Sequence, residues 1–364
     1  MSLARSGVKI GILHVNMDSI KKFRRNSKGF FYNKDNEICQ YSFYGINLPL
    51  LTGVNTLLVK GIARLLFRWY SRRFGMPDLI HAHSIYKGGL VARDLSDRYG
   101  IPFVITEHYS GYTRTVFSER IKKKMEKCIS TCSCCMSVSE NFAGFLNLFF
   151  LKAGKKWVYV PNMVSSMFFN HPVRETRSDT FFFLCIASLT TNKAVDVLIR
   201  SFSSAFSPDE RVKLLIAGEG PEKAKLKKLA VDRRVSSKVE FLGRLSREQV
   251  VEVFGSVDAL VVSSKYETFG VVVAEALAMG VPVVATRCGG PESILSNGDG
   301  LLVDNGDESK LADALKEMYC NRAEYRPAEI RKRCAARFSE DVVVEKIKNV
   351  YLSILDLNHR HTTM

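Results

Sequence analysis

No run of about 18 apolar residues occurs in the 364-residue chain, so the sequence offers no membrane-spanning helix. The opening MSLARSGVKIGILHV lacks the apolar h-region and the small-residue cleavage site of a secretory leader. Acidic residues are scarce in one half only. Residues 1–170 hold 25 Lys and Arg against 10 Asp and Glu, whereas residues 171–364 hold 28 against 27. No zinc-finger spacing, RNA-recognition aromatic motif or helix-turn-helix accompanies that excess, which argues against a nucleic-acid partner. The nine cysteines are odd in number and irregular in spacing. Four of them crowd into CISTCSCC (Cys128, Cys132, Cys134, Cys135), but no second cluster and no nearby histidine complete a tetrahedral metal set. A helix end running into a buried strand accounts for the segment, so no metal is expected and a reduced, cytoplasmic protein is.

What is present describes a folded protein of two domains. Hydrophobic residues make up 46% and charged residues 25% of the chain, and its length exceeds one ordinary core. Short apolar runs alternate with amphipathic helical stretches from end to end. VKIGILHV, DLIHAHS, PFVITEH, CCMSVS and WVYVPN read as strands of a first domain. FFFLCIAS, VKLLIAG, KVEFLG, DALVVSS, PVVAT and GLLVD read as strands of a second. LVARDLSDRYG and SREQVVEVFGSV are helices between them. This alternation implies parallel sheets covered on both faces, that is, an α/β protein with two doubly wound, Rossmann-like domains. The polar, aperiodic stretch 161–180 reads as the link. The expected domains are 1–165 and 180–338, joined by 166–179, with a terminal helix over 339–358 that starts at Ser339.

Basic residues of the first domain cluster at KKFRR (21–25), RWYSRR (68–73) and KKK (122–124). The segment TLLVKGIARLLFRWYSRR (56–73) is a basic amphipathic helix with Trp69 near its end. It suits adsorption to an anionic membrane surface, at the inner face if the protein is peripheral there, or a solvated basic face beside a packed apolar stripe.

In open parallel sheets ligands sit beyond the carboxyl ends of the strands. There the sequence places KYETFGVVVAEALAMGVPVVAT, residues 265–286. ETFG reads as a strand-to-helix turn, followed by a helix from Gly270 to Met279 that Gly280 ends. Its free N–H groups and positive dipole end suit a phosphate. Glu275 stands in an otherwise apolar segment, where a carboxylate needs a partner. It lies about 12 Å along from Glu267 at 1.5 Å per residue. That span is too wide for one proton transfer, and it suits the two ends of an elongated, hydroxyl-rich ligand.

These residues, with GGPESI after them, resemble the signature of the family 4 retaining glycosyltransferases, in which two glutamates flank seven residues within the GT-B fold. IASLTTNKAVDVLIRSF, LLIAGEGP, VEFLGRL and GLLVD resemble other segments of that family's second domain, and PDLIHAHS, PFVITEH and VPN resemble its first. The resemblance implies two domains facing a cleft, with the C-terminal helix crossing back to the first. It implies transfer of a sugar from a nucleotide-sugar donor (a UDP- or GDP-sugar) to a saccharide or lipid-linked acceptor, without a metal and with retention of configuration, as in bacterial surface polysaccharide synthesis. By the same resemblance Glu275 binds the ribose hydroxyls and Glu267 the transferred sugar. The backbone of Thr268, Phe269, Gly270 and Val271 holds phosphate or sugar oxygens. Lys193 neutralises the leaving diphosphate, Leu242, Gly243 and Arg244 lie near the base, and His108 reaches the sugar from the first domain. His81 and His83 are read as structural, with at most one facing the cleft.

The sequence departs from the family at three places. Ala187-Ser188 stands where a glycine–arginine pair is common, leaving Ser188 at the phosphate side. Ala194 replaces a common glycine. The family's opening strand, glycine loop and helix have no counterpart, since VKIGILHV resembles its second strand. A nucleotide-sugar epimerase of the same fold, or an inactive protein that keeps the donor pocket, are the alternatives.

Overall fold

The computed structural model describes residues 2–18, 29–35, 38–47, 52–113, 115–173 and 178–362; the KKFRR cluster lies outside them. Thirteen strands form three sheets among these residues. The first domain carries β1 (Gly11–Asp18), β2 (Gly29–Asp35) and β3 (Ile38–Ile46), then β4 (Ile80–His83), β5 (Phe103–Glu107), β6 (Cys134–Ser137) and β7 (Trp157–Tyr159). The second carries β8 (Phe181–Ile186), β9 (Val212–Ala217), β10 (Val239–Gly243), β11 (Ala259–Val262), β12 (Val283–Thr286) and β13 (Gly300–Val303).

The second domain's sheet runs β10-β9-β8-β11-β12-β13, every pairing parallel. Its central strands ALVV and VVAT are buried at every position, which is why they carry apolar runs rather than alternation. The order reverses between β8 and β11, so the loops after these two strands diverge and leave a crevice.

The first domain's strands form two pieces. β4-β5-β6-β7 is parallel, and β1-β3-β2 pairs β1 with β3 in parallel and β2 with β3 antiparallel. Among the described residues no strand joins β1 to β4. Leu13 on β1 and Ile80 on β4 both pack against Phe67, Leu95 and Ile101, so a shared helical layer connects the pieces. The strands β2 and β3 were not legible as strands. GFFYNKD is exposed at nearly every position, and a strand wet on both faces leaves no hydrophobic period to read.

The chain passes between the domains at two adjacent points. Val164 donates to the carbonyl of Phe338 at 2.8 Å and bridges Ser339 in parallel. The stretch expected to be an aperiodic link contains a short helix, Ser166–Phe169, which buries Phe168 against the second domain beside Phe254 and under the Arg247 guanidinium. The last helix, Glu340–Thr362, lays Val343, Ile347 and Ile354 onto Val104, Met136 and Val160 of the first domain. Burying three such side chains contributes several kcal/mol, at about 1.5–3 kcal/mol each.

Candidate active site in the interdomain cleft

The turn between β11 and the helix Val271–Ala278 is set by backbone constraints. Gly270 has φ 89°, a left-handed conformation that admits glycine freely, and it starts the helix. Glu267 donates its backbone N–H to the carbonyl of Cys288 at 2.8 Å, docking the turn on the loop after β12. At Gly290 a Cβ would stand 2.0 Å from the carbonyl oxygen of Phe269. Gly290→Ala must therefore push the turn aside, and a loss of about 1–3 kcal/mol in unfolding free energy is expected, together with weakened nucleotide binding; denaturant titration and calorimetry measure the two. The Phe269 side chain is buried against Phe338, with ring centroids 5.8 Å apart, so only its backbone is offered to the cleft.

Lys193 comes to the same place from the other side of the crevice. It ends the tight turn Thr191–Lys193, which is pinned to the segment after β11 by three contacts. Lys265 N–H donates to the Asn192 carbonyl at 2.8 Å, Asn192 Nδ2 donates to the Tyr266 carbonyl at 3.1 Å, and Ser263 Oγ donates to the Lys193 carbonyl at 2.9 Å. Ala194 follows with φ 46° and ψ 38°. A left-handed alanine is strained by roughly 1–2 kcal/mol, and here it redirects the chain into the helix Val195–Ala205. Lys193 Nζ lies 2.5 Å from Glu267 Oε1, which also accepts from Ser264 Oγ at 2.7 Å. Sequence reading missed Ser264, because a short polar residue at a strand end looks like any loop residue.

Glu275 is buried, and the question its position raised has a direct answer. Arg247 Nη1 donates to Glu275 Oε1 at 2.5 Å, while the Arg247 side chain stays 54% exposed. Burial pushes the Glu275 carboxyl up from the usual range, and the guanidinium opposes the shift. Arg247 is the first residue of a helix capped by Ser246 and Gln249, 28 positions before Glu275. No local pattern links the two.

The opposing wall comes from the first domain. Glu107, at the end of β5, is wholly buried without a cation among the described residues. Its carboxylate accepts from the N–H groups of Ile85 (2.8 Å), His108 (2.9 Å) and Tyr109 (2.8 Å) and from the Tyr112 hydroxyl (2.7 Å). These bonds fix the loop that presents His108, and Thr268 Oγ1 donates across the cleft to the His108 carbonyl at 3.3 Å.

Positions two apart on a strand share a face, so His81 and His83 do not alternate across β4; His83 is the more open of the two, and His81 is enclosed by Tyr351 and Thr106. The rings of His81 and His83 stack at 4.6 Å, those of His83 and His108 at 5.2 Å, and His83 Nδ1 lies 2.9 Å from His108 Nε2. Burial lowers all three imidazoles, His81 to about 3 and His108 to about 4, with the neighbouring rings adding to the shift in both. They are neutral near pH 7.

The remaining sequence candidates lie along the rim. Ser188 and Arg244 are exposed, Leu242 and Gly243 half-buried at the end of β10, and Val271 is exposed at the helix start. The cysteine cluster lies away from the cleft in the first domain's core. There Cys132 and Cys135 have sulfurs 2.8 Å apart, and burial pushes the Cys128 thiol up to about 12. Among the described residues no group of three His, Cys, Asp or Glu side chains is placed to hold a metal.

The family described as "Glycosyl transferases group 1" matches residues 167–337, and "Glycosyltransferase Family 4" matches residues 3–166. Among curated relatives, a D-inositol 3-phosphate glycosyltransferase of Corynebacterium urealyticum is 33% identical over 183 residues, covering 46% of this chain and 42% of that protein. The lipopolysaccharide core biosynthesis glycosyltransferase LpsE of Rhizobium meliloti is 36% identical over 149 residues, 40% and 42% of the two chains. The matches thus span less than half the length of these two relatives. Among solved structures, sucrose-phosphate synthase from Thermosynechococcus elongatus superposes with a TM-score of 0.79 at 20% identity, covering 98% of this chain and 91% of that one. Anabaena HepE, solved in complex with UDP-glucose, gives a TM-score of 0.66 at 18% identity over 94% and 99% of the two chains.

Proposed function

Because the chain belongs to the family 4 glycosyltransferases and has their GT-B fold, we propose that it transfers a sugar from a UDP- or GDP-sugar to a saccharide or lipid-linked acceptor with retention of configuration. The observation that carries this reading is the convergence of Lys193, Glu267 and the start of the helix Val271–Ala278 at one point of the cleft, opposite His108. Cleavage of a glycosyl–phosphate bond develops negative charge on the departing diphosphate. Fixed positive groups at that position lower the barrier most. Lys193 and the helix dipole supply them, and Ser188 adds no charge. Glu275, with one oxygen held by Arg247, keeps its second oxygen for the ribose hydroxyls. Glu267 aligns the transferred sugar.

Glu275→Gln tests the donor half of this assignment. It keeps an acceptor for Arg247 but removes the charge, so nucleotide-sugar affinity should fall by about 1–3 kcal/mol. Calorimetry with the wild type's preferred nucleotide measures it, and an unchanged affinity would remove Glu275 from the ribose site.

The acceptor is proposed to be lipid-linked, with the protein resting on an anionic membrane through the first domain. No described helix is long and apolar enough to cross a bilayer. The helix Thr52–Phe74 buries Ala63, Leu66 and Phe67 inward, and leaves Leu57, Trp69, Arg72, Arg73 and Phe74 exposed. Phe30 of β2 packs on Trp69 at 5.1 Å and Arg73 lies over the Tyr32 ring at 4.8 Å, so aromatic and basic groups share one surface. Lipopolysaccharide synthesis by LpsE supports a role in surface polysaccharide. Changing both Arg72 and Arg73 to Glu should release the protein from vesicles containing phosphatidylglycerol, at roughly 1 kcal/mol per basic residue removed. Sedimentation that persists at equal strength would show that this basic face is merely solvated.

A further inference from the structure

The three stacked imidazoles have a partner outside the cleft that limits how they can be arranged. His81 Nδ1 lies 2.5 Å from the Tyr351 hydroxyl on the crossing C-terminal helix, and its Nε2 lies 2.7 Å from Thr106 Oγ1. Both ring nitrogens of His81 are therefore engaged, and the ring is held as a fixed plate. His83 stacks on it with an interplanar angle of 20°, and His108 stacks beyond at 21°. His83 reaches solvent at its edge while its ring is flanked on both sides: its plane is set from one side by His81 and its Nδ1 is committed to His108.

We infer that His83 is a positioning residue for the transfer: its Nδ1 contact with His108 Nε2 fixes the plane of His108 and couples the tautomer of that ring to its own. This rests on the assignment of His108 to the sugar. Two neutral imidazoles that share one hydrogen bond cannot choose tautomers independently. If His83 Nδ1 carries the proton, His108 accepts at Nε2 and must carry its own proton at Nδ1. If His108 Nε2 donates, its Nδ1 is left bare as an acceptor. His108 is thus protonated at the same ring position as His83, Nδ1 with Nδ1 or Nε2 with Nε2, so the group it turns to the substrate follows the tautomer of His83. Alone, a neutral imidazole would divide between the two forms without reference to its neighbour. The C-terminal helix enters the same arrangement through Tyr351, which keeps the underlying plate in place.

Two substitutions separate the hydrogen bond from the packing. His83→Phe keeps an aromatic ring between His81 and His108 and removes the bond. His83→Asn loses the stack but places an amide near the old Nδ1. Nitrogen-15 spectra of histidine-labelled full-length protein report the tautomer of each ring directly, without a known substrate. In the wild type His83 and His108 should show the same tautomer fractions, since each hydrogen-bonded arrangement places both protons at the same ring position. In His83→Phe the His108 nitrogens should move as that coupling is lost, and in His83→Asn they should return toward the wild-type positions. With the nucleotide sugar that binds best, His83→Phe should lower turnover on the order of 10-fold with little change in donor KM, and His83→Asn should recover most of it. A merely structural histidine would not move the His108 nitrogens in a folded variant. Unchanged His108 tautomer fractions in His83→Phe overturn the inference. A His108 that follows His83 as described, in a protein whose spectra respond to no nucleotide, would instead overturn the transferase reading and leave the coupling standing.

Discussion

Lys193→Ala should lower turnover by on the order of 10²-fold or more, the loss seen when one preorganised group facing developing charge is removed. Stability cannot account for a loss of that size. The Lys193–Glu267 ion pair is only partly shielded, with side-chain exposures of 23% and 15%. Such pairs stabilise by about 1 kcal/mol or less, too little to unfold a domain of this size. In the variant Ser264 still holds Glu267 Oε1, so the turn keeps its shape. The defect should therefore appear in turnover more than in nucleotide affinity, since the diphosphate carries most of its new charge in the transition state. Steady-state kinetics with the preferred donor checks it, and a variant of normal rate would reduce Lys193 to a surface partner of Glu267.

Glu107→Gln should have the largest effect on stability, about 3 kcal/mol, because it turns a donor toward buried donors. The carboxylate now accepts four hydrogen bonds. A glutamine oxygen can serve the two at His108 and Tyr109, but its NH₂ then faces the Ile85 N–H. The Tyr112 hydroxyl can rotate to accept, whereas the backbone N–H cannot. The urea midpoint should fall at an unchanged denaturant slope. Turnover should fall with it, since the same carboxylate holds the loop that carries His108. A midpoint near the wild-type value would show that the loop has another anchor.

The sequence made the parallel strands legible wherever both faces are covered, because an apolar run such as DALVVSS has one reading beside a helix. It also exposed ETFG and the helix that follows, since Gly270, Gly280 and the misplaced Glu275 interrupt that pattern at fixed points. Other features escaped. Arg247 pairs with Glu275 across 28 residues, and ion pairs between separate elements leave no periodic trace. Glu107 reads as the last residue of an apolar strand, with its four partners supplied mostly by backbone, which carries no sequence signal. The histidines of HAHS lie on one face, since residues two apart on a strand do; His83 meets His108, and His81 stacks behind it. The strand β2 has no covered face to reveal it, whereas β3 is largely buried and carries Gln40 and Ser42 within its run.

The most direct test of the donor site is a thermal-shift panel of nucleoside diphosphates and nucleotide sugars, with and without Mg²⁺. A ligand bound at 100 times its dissociation constant stabilises the fold by about 2.7 kcal/mol. One base should stand out, with the shift present in the absence of the metal, because Lys193 and the helix start provide the positive charge. A folded protein whose melting temperature responds to no nucleotide would contradict the account at its centre.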